Sequence, residues 1–289
     1  MEQKITGHTG LIGILANPIK HSKSPMMHNT AFKALGLDYV YLAFDVEKDG
    51  LEAAVRGMRA LGARGFNVSM PYKHEVMQYL DEILPAGRLC QAVNTVVNEN
   101  GRLIGTSTDG EGYMRSLREA GFEPAGKKMT LLGSGGAGTA IAMQAGLDGV
   151  AELSVFGRKD GKSFAQARRN AKVLNEETSC RTTVYALEDE ERLKKELSES
   201  ALLCNATSAG FGSGNTGCPI PDASFLHSEL LVTDVIYNPE TTPLLTMAEG
   251  AGCRTLNGLG MLLHQGAAAF QIWTGKEMPV DLVRQVLRQ

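Results

Sequence analysis

A lysine, an aspartate and a run of glycines carry the chemistry for which this sequence can be read. Residues 129–140 run from apolar residues into Gly133, Ser134, Gly135, Gly136, Ala137 and Gly138, and a helix-compatible stretch follows. Strand, G-x-G-x-x-G, helix is the order in which such a loop cradles a dinucleotide. Gly133 permits the tight turn, Gly135 lets a pyrophosphate approach the backbone, and Gly138 lets the helix pack close to the strand. The anion then sits on the helix N-terminus, whose amides and dipole favour negative charge. Read without a ligand, the same run is a glycine turn of an α/β domain.

Lys73 and Asp109 are the candidates for moving a proton. Lys73 is expected in the first turn of a helix over residues 71–80, where the helix dipole disfavours a cation. Asn67 and Ser69 precede it at the end of a strand, and such a grouping suits a site as well as it suits an exposed lysine with its head in water. Asp109 opens the next helix, whose cap Thr108 and Glu111 supply as a capping box. It is then either a favourable first-turn carboxylate or the partner of Lys73. A lysine acts as a base near neutrality only where its surroundings lower its ordinary pKa of about 10.4.

Further polar residues stand where hydrophobic ones would serve better. Ser24 followed by Pro25 is a good helix cap, which leaves Ser22 unexplained; two hydroxyls beside a positive helix end suit a small carboxylate. Asn94 interrupts a strand over residues 92–97. Gln265 falls on the apolar face of a C-terminal helix, four residues from Met261 and from Ala269, and its amide needs either nearby backbone or a bound polyol.

The elements that must position these residues alternate. Strands at residues 11–15, 39–44 and 65–69 are separated by helices ending near residue 35 and residue 61, and residues 98–101 turn one strand back on the next. Strand alternating with helix predicts a parallel α/β layer. After the glycine loop the pattern repeats, with strands at residues 152–156, 182–185, 201–204 and 231–236. At 289 residues there is room for two domains. The net charge of -3 offers no general attraction to nucleic acid or to an anionic membrane. With neither a spanning apolar run nor a signal-like N-terminus, a cytoplasmic location is expected. Five scattered cysteines without C-x-x-C, and histidines without H-x-x-x-H, predict neither disulfide framework nor metal site.

Asn17-Pro18, Ser22-x-Ser24-Pro25, Asn67-Val68-Ser69-Met70-Pro71-Tyr72-Lys73, Ala92-Val93-Asn94-Thr95, Thr108-Asp109-Gly110, the glycine loop, and Gly258-Leu259-Gly260-Met261-Leu262 with Gln265 resemble, in order and spacing, the shikimate dehydrogenase superfamily. The resemblance covers essentially the whole chain. It implies a discontinuous N-terminal α/β substrate domain, residues 1–111 with 257–289, and a Rossmann-type dinucleotide domain over residues 112–256. It also implies Lys73 as general base with Asp109 orienting it. Ser22, Ser24, Asn67, Ser69, Asn94, Tyr237 and Gln265 would meet the substrate, while Ser208, Ile236 and Gly258 would line the cofactor. A homodimer is compatible with it.

Cofactor choice rests on Gly157, Arg158, Lys159 and Asp160. A carboxylate some 20 residues past the loop accepts from the ribose of NAD, whereas an arginine accommodates the 2′-phosphate of NADP. Asp160 would repel that phosphate by a few kcal/mol at about 4 Å and an effective dielectric near 20, with Arg158 and Lys159 offsetting it. The expectation is NAD preferred and NADP accepted, as in the quinate/shikimate dehydrogenase branch, which Ser69 and the Trp273-Thr274-Gly275-Lys276 tail also resemble. The expected reaction is reversible oxidation of quinate or shikimate to the 3-dehydro ketone. The alternatives are an NADP-specific biosynthetic shikimate dehydrogenase, a non-catalytic NAD-binding regulator, and another dehydrogenase on the same fold.

Overall fold

The computed structural model describes residues 4–161, 163–212 and 217–288. The chain divides into two compact units, Met1–Thr108 with Leu263–Gln289, and Asp109–Leu262.

The first unit is built on a six-stranded sheet: β1 (Gly10–Ala16), β2 (Tyr39–Asp45), β3 (Gly65–Val68), β4 (Glu82–Ile83), β5 (Thr95–Glu99) and β6 (Arg102–Thr106) in the order β2-β1-β3-β5-β6-β4. β2, β1 and β3 are parallel, as alternation with the helices Ser24–Leu35 and Leu51–Ala60 predicts. The sheet as a whole is mixed rather than parallel. Asn100 and Gly101, at φ 53° and 93°, make a two-residue hairpin that forces β5 and β6 antiparallel. Under one face Leu15, Phe66, Val68, Tyr72, Val96 and Leu103 form a closed core; each such side chain contributes about 1.5–3 kcal/mol by leaving water.

Two local expectations fail here. Residues 71–80 form no α-helix: the Lys73 carbonyl accepts from Val93 N–H at 2.7 Å and is withdrawn from helical pairing. Tyr72 and Met77 N–H instead reach back three residues, to Ser69 and His74, and only a short 3-10 turn, Glu75–Tyr79, forms. Lys73 is therefore held in a turn ahead of that 3-10 segment, not in the first turn of an α-helix. Nor is Ser24 a helix cap. It is the first helical residue, and its own N–H is met by Ser22 Oγ at 3.2 Å.

The second unit carries a wholly parallel sheet: β7 (Lys128–Leu132), β8 (Glu152–Gly157), β9 (Arg181–Ala186), β10 (Leu202–Asn205), β11 (Leu231–Asp234) and β12 (Arg254–Leu256) in the order β12-β11-β10-β7-β8-β9. This is the doubly wound dinucleotide-binding order, with the reversal between β7 and β10. Leu132, Phe156, Leu203, Leu230 and Val232 fill its core. β11 stops at Asp234, short of the expected end at residue 236, because the Asp234 carboxylate turns back to accept from Ile236 N–H at 3.0 Å. The helix Asp109–Glu119 lies so close to the helix Gly136–Leu147 that a Cβ on Gly110 would strike Ala140 O.

Candidate active site

In the first unit the sequence-predicted polar residues converge. Asn67, at the inner strand β3, donates from Nδ2 to Asn94 O at 2.9 Å and to Thr95 Oγ1 at 3.1 Å. Asn94 lies just before β5, not within it. Its Oδ1 accepts from Thr108 N at 2.9 Å, and its Nδ2 donates to Thr108 Oγ1 at 2.9 Å and to Gln265 Oε1 at 3.3 Å. Asn67, Asn94 and Thr108 are buried, so each bond carries the desolvation cost it offsets. Gln265, half-buried on the helix Leu259–Thr274, finds the partner its place on an apolar face demands. Ser69 and Lys73 are half-buried in the segment that follows Asn67, and the Lys73–Val93 backbone bond brings that segment beside Asn94. Ser22 is half-buried and Ser24 buried at the start of the helix Ser24–Leu35. Asp109, also buried, follows Thr108 directly and opens the second unit.

Four participants were not legible as such. Tyr41 O–H donates to Asn67 Oδ1 at 2.7 Å, and Thr95 Oγ1 donates to Asn94 Oδ1 at 3.0 Å. Thr108, read only as a cap, binds Asn94 from backbone and side chain. His28 stacks on the Tyr41 ring, 4.4 Å between centroids. In the sequence Tyr41 is one of the alternating residues of a strand and His28 one of a helix, patterns that core packing explains without a site.

In the second unit the glycine loop has the geometry its spacing predicts. Gly133 adopts φ 101°, and a Cβ there would lie 2.6 Å from Ala206 O, on the segment that leaves β10. A Cβ on Gly138 would strike Gly133 O, so helix and loop close only on glycine. Cβ atoms on Gly135 and Gly136 would enter open space. That open cradle, at the first turn of a helix whose leading amides have no helical acceptor, fits the diphosphate of a dinucleotide. At the tip of β8, a Cβ on Gly157 would approach Ser134 Oγ to 2.7 Å; Ser134 Oγ pairs with Ser163 Oγ at 2.9 Å. Arg158, Lys159 and Asp160 are exposed. Ser208 lies in the turn after β10, its carbonyl accepting from Phe211 N–H at 3.1 Å; Ile236 is buried; Gly258 N–H donates to Ile236 O at 2.9 Å. Tyr237, beyond β11, is half-buried, and desolvation raises its phenol pKa.

The family profile described as shikimate dehydrogenase substrate binding domain matches residues 14–96, and that described as shikimate 5'-dehydrogenase C-terminal domain matches residues 258–288. The shikimate dehydrogenase (NADP(+)) of Listeria monocytogenes serotype 4b is 53% identical over 285 residues, which are 99% of this chain and 98% of that protein. The chain belongs to the shikimate dehydrogenase family. Among solved structures, shikimate 5-dehydrogenase from Listeria monocytogenes in complex with shikimate and NAD superposes with a TM-score of 0.93 at 53% identity, covering 99% of both chains. Quinate dehydrogenase from Corynebacterium glutamicum in complex with NAD reaches 0.86 at 28% identity, covering 97% of this chain and 99% of that one.

These findings correct the cofactor expectation. NAD preferred with NADP accepted is overturned by the NADP(+) named for the Listeria enzyme and for relatives from Alkaliphilus metalliredigens and Streptococcus uberis at 44% and 47% identity. The physical error lies in placing Asp160. The residue at the strand tip is Gly157, which carries no carboxylate, and the first charged side chains past it are Arg158 and Lys159. Asp160 comes only afterwards, in an exposed turn closed by Gly161 N–H on Arg158 O at 2.9 Å. The quinate branch gains no support from these relatives, which at 44–53% identity carry the shikimate name. No helix among the described residues is long and apolar enough to cross a membrane.

Proposed function

We propose that this chain is the NADP-dependent, biosynthetic type of shikimate dehydrogenase, interconverting shikimate and 3-dehydroshikimate. The observation that carries the reading is the buried chain of amides and hydroxyls through Asn67, Asn94 and Gln265, set beside Lys73 in a protein 53% identical over 99% of its length to an enzyme of that name. A small carboxylic acid with several hydroxyls is the ligand such a set of fixed donors and acceptors suits.

Bound NADP supplies the hydride acceptor. Its diphosphate is assigned to the loop Gly133–Gly138 and its 2′-phosphate to Arg158 and Lys159, whose cations replace the missing strand-tip carboxylate. The substrate carboxylate is assigned to Ser22 and Ser24, and the hydroxyls to Asn67, Ser69, Asn94, Tyr237 and Gln265. Lys73 takes the proton of the reacting hydroxyl as the C–H hydrogen leaves with its electron pair, and Asp109 holds that hydroxyl in line. Oxidation thus releases one proton to the protein and one hydride to the cofactor for each ketone formed.

Incubating the purified protein with shikimate and NADP and analysing the products by mass spectrometry tests this. The expected result is a product two hydrogens lighter than shikimate, formed in equal amount with NADPH. Unchanged shikimate at high enzyme concentration would remove the reading.

A further inference from the structure

Asp234 ends β11 as a carboxylate only 2% exposed, and it pairs with no cation among the described residues. Three donors hold it instead. Its Oδ1 accepts from Ile236 N–H at 3.0 Å, and its Oδ2 accepts from Asn205 Nδ2 at 3.0 Å and from Thr242 Oγ1 at 2.8 Å. A backbone group settles which way the Asn205 amide faces. Thr207 N–H can only donate, and it donates to Asn205 Oδ1 at 3.0 Å, so Asn205 Nδ2 is the atom turned to Asp234. Burial raises the Asp234 pKa, and these same donors act to lower it.

One buried carboxylate thus ties three segments together. At the end of β10, Asn205 Oδ1 also accepts from Thr207 Oγ1 at 2.7 Å, and Thr207 Oγ1 accepts from Ala209 N–H at 3.1 Å, which fixes the turn carrying Ser208. Ala206, between Asn205 and Thr207, lies against Gly133 of the glycine loop. Beyond β11 the carboxylate fixes Ile236, whose carbonyl accepts from Gly258 N–H at 2.9 Å. Thr242, the third partner, caps the helix Pro243–Gly250. The first two segments leave the carboxyl ends of adjacent parallel strands, the edge of an open α/β sheet at which ligands bind.

We propose that Asp234 is a positioning residue that holds the exits of β10 and β11, and with them Ser208 and Ile236, in place for the nicotinamide half of NADP. The inference rests on the reading of this unit as the NADP site. Asp234 is too deeply buried to meet the cofactor and acts through the segments it holds.

Asp234→Asn keeps the shape of the side chain and replaces one oxygen with a donor. Neither rotamer of the new amide fits, because its nitrogen faces either Ile236 N–H or Asn205 Nδ2, and turning Asn205 over only moves the mismatch to Thr207 N–H. Relief comes as the two exits part, and NADP must draw them together again to bind. The expected result, by calorimetric titration, is a Kd for NADP raised about tenfold, as for one buried hydrogen bond lost. The Kd for 2′-phospho-ADP-ribose, which is NADP without its nicotinamide, is expected to stay within about twofold of wild type, whereas a general structural defect weakens both. Combining Asn205→Asp with Asp234→Asn moves the carboxylate across the pair. It then accepts from Thr207 and from the new amide, whose second hydrogen serves Thr242 Oγ1 and whose oxygen serves Ile236 N–H. This exchange is expected to bring the NADP Kd back to within about threefold of wild type.

A folded Asp234→Asn protein that binds NADP as wild type does, or that loses NADP and 2′-phospho-ADP-ribose alike, would overturn the proposal, as would an exchanged pair that binds no better than Asp234→Asn alone. Should Asp234→Asn fail to fold, Thr207→Val cuts the same network one link on. It is expected to give the same loss of NADP with the fragment spared, and its absence would overturn the proposal equally. Wild-type binding of NADP tests the underlying reading separately, since only the ratio of variant to wild type bears on Asp234.

Discussion

Acidification should weaken the first unit through His28. That imidazole is fully buried, stacked on Tyr41 and Phe270 and edge-on to Trp273, with neither ring nitrogen hydrogen-bonded among the described residues. Burial lowers its pKa from 6.5 to about 3. The native state therefore refuses a proton that the unfolded chain accepts below pH 6.5, so this contribution to stability is full above 6.5 and shrinks as pH falls toward 3. At about 1.4 kcal/mol per pH unit the whole span amounts to roughly 5 kcal/mol, of which about 2 kcal/mol is lost between pH 8 and pH 5. Against a usual total of about 5–15 kcal/mol that is a large fraction. His28→Phe keeps a ring in the stack and removes the titration. The single tryptophan, Trp273, lies in the same cluster, 5.3 Å from the His28 ring, and reports unfolding of this unit. Urea titrations followed by its fluorescence at pH 8 and pH 5 should show wild type losing about 2 kcal/mol more than His28→Phe. Equal losses in the two proteins would refute the reasoning, since every other titrating group is common to both.

Lys73→Ala should lower kcat more than about a hundredfold while leaving the KM for NADP nearly unchanged, read by steady-state kinetics; an unimpaired variant would remove Lys73 as the base. Arg158→Ala should raise the KM for NADP about tenfold, the loss of one charge-assisted hydrogen bond, with the KM for shikimate unchanged. Asp160→Asn, which alters only the exposed turn, should change it by less than about twofold. Gly138→Ala drives a methyl group into Gly133 O, and calorimetric titration should show NADP binding lost while shikimate binding to the other unit persists.

Legibility followed how local the physics was. The glycine loop was plain, because Gly133, Gly135 and Gly138 each answer a constraint set within a few residues of chain. The hairpin at Asn100–Gly101 was equally plain, since two positive φ values demand such residues. Asn67, Asn94 and Gln265 were conspicuous as amides in apolar settings, although nothing local said that they bind one another. Tyr41 was invisible: its strand reads as core, and only pairing β2 with β1 and β1 with β3 carries its hydroxyl to Asn67. The lost helix after Pro71 has the same origin, because the Val93 amide that takes the Lys73 carbonyl is 20 residues away. At the β8 tip the misreading came from counting residues rather than locating the strand end. Gly157 closes the strand against Ser134, a fact that spacing alone does not contain.

The central claim is the pairing of substrate with cofactor, and kcat/KM for the four combinations of shikimate or quinate with NADP or NAD tests it most directly. The account predicts the highest value for shikimate with NADP, with Arg158→Ala narrowing the preference for NADP over NAD. A higher value for quinate with NAD would contradict it, and would return Asp160 to the ribose.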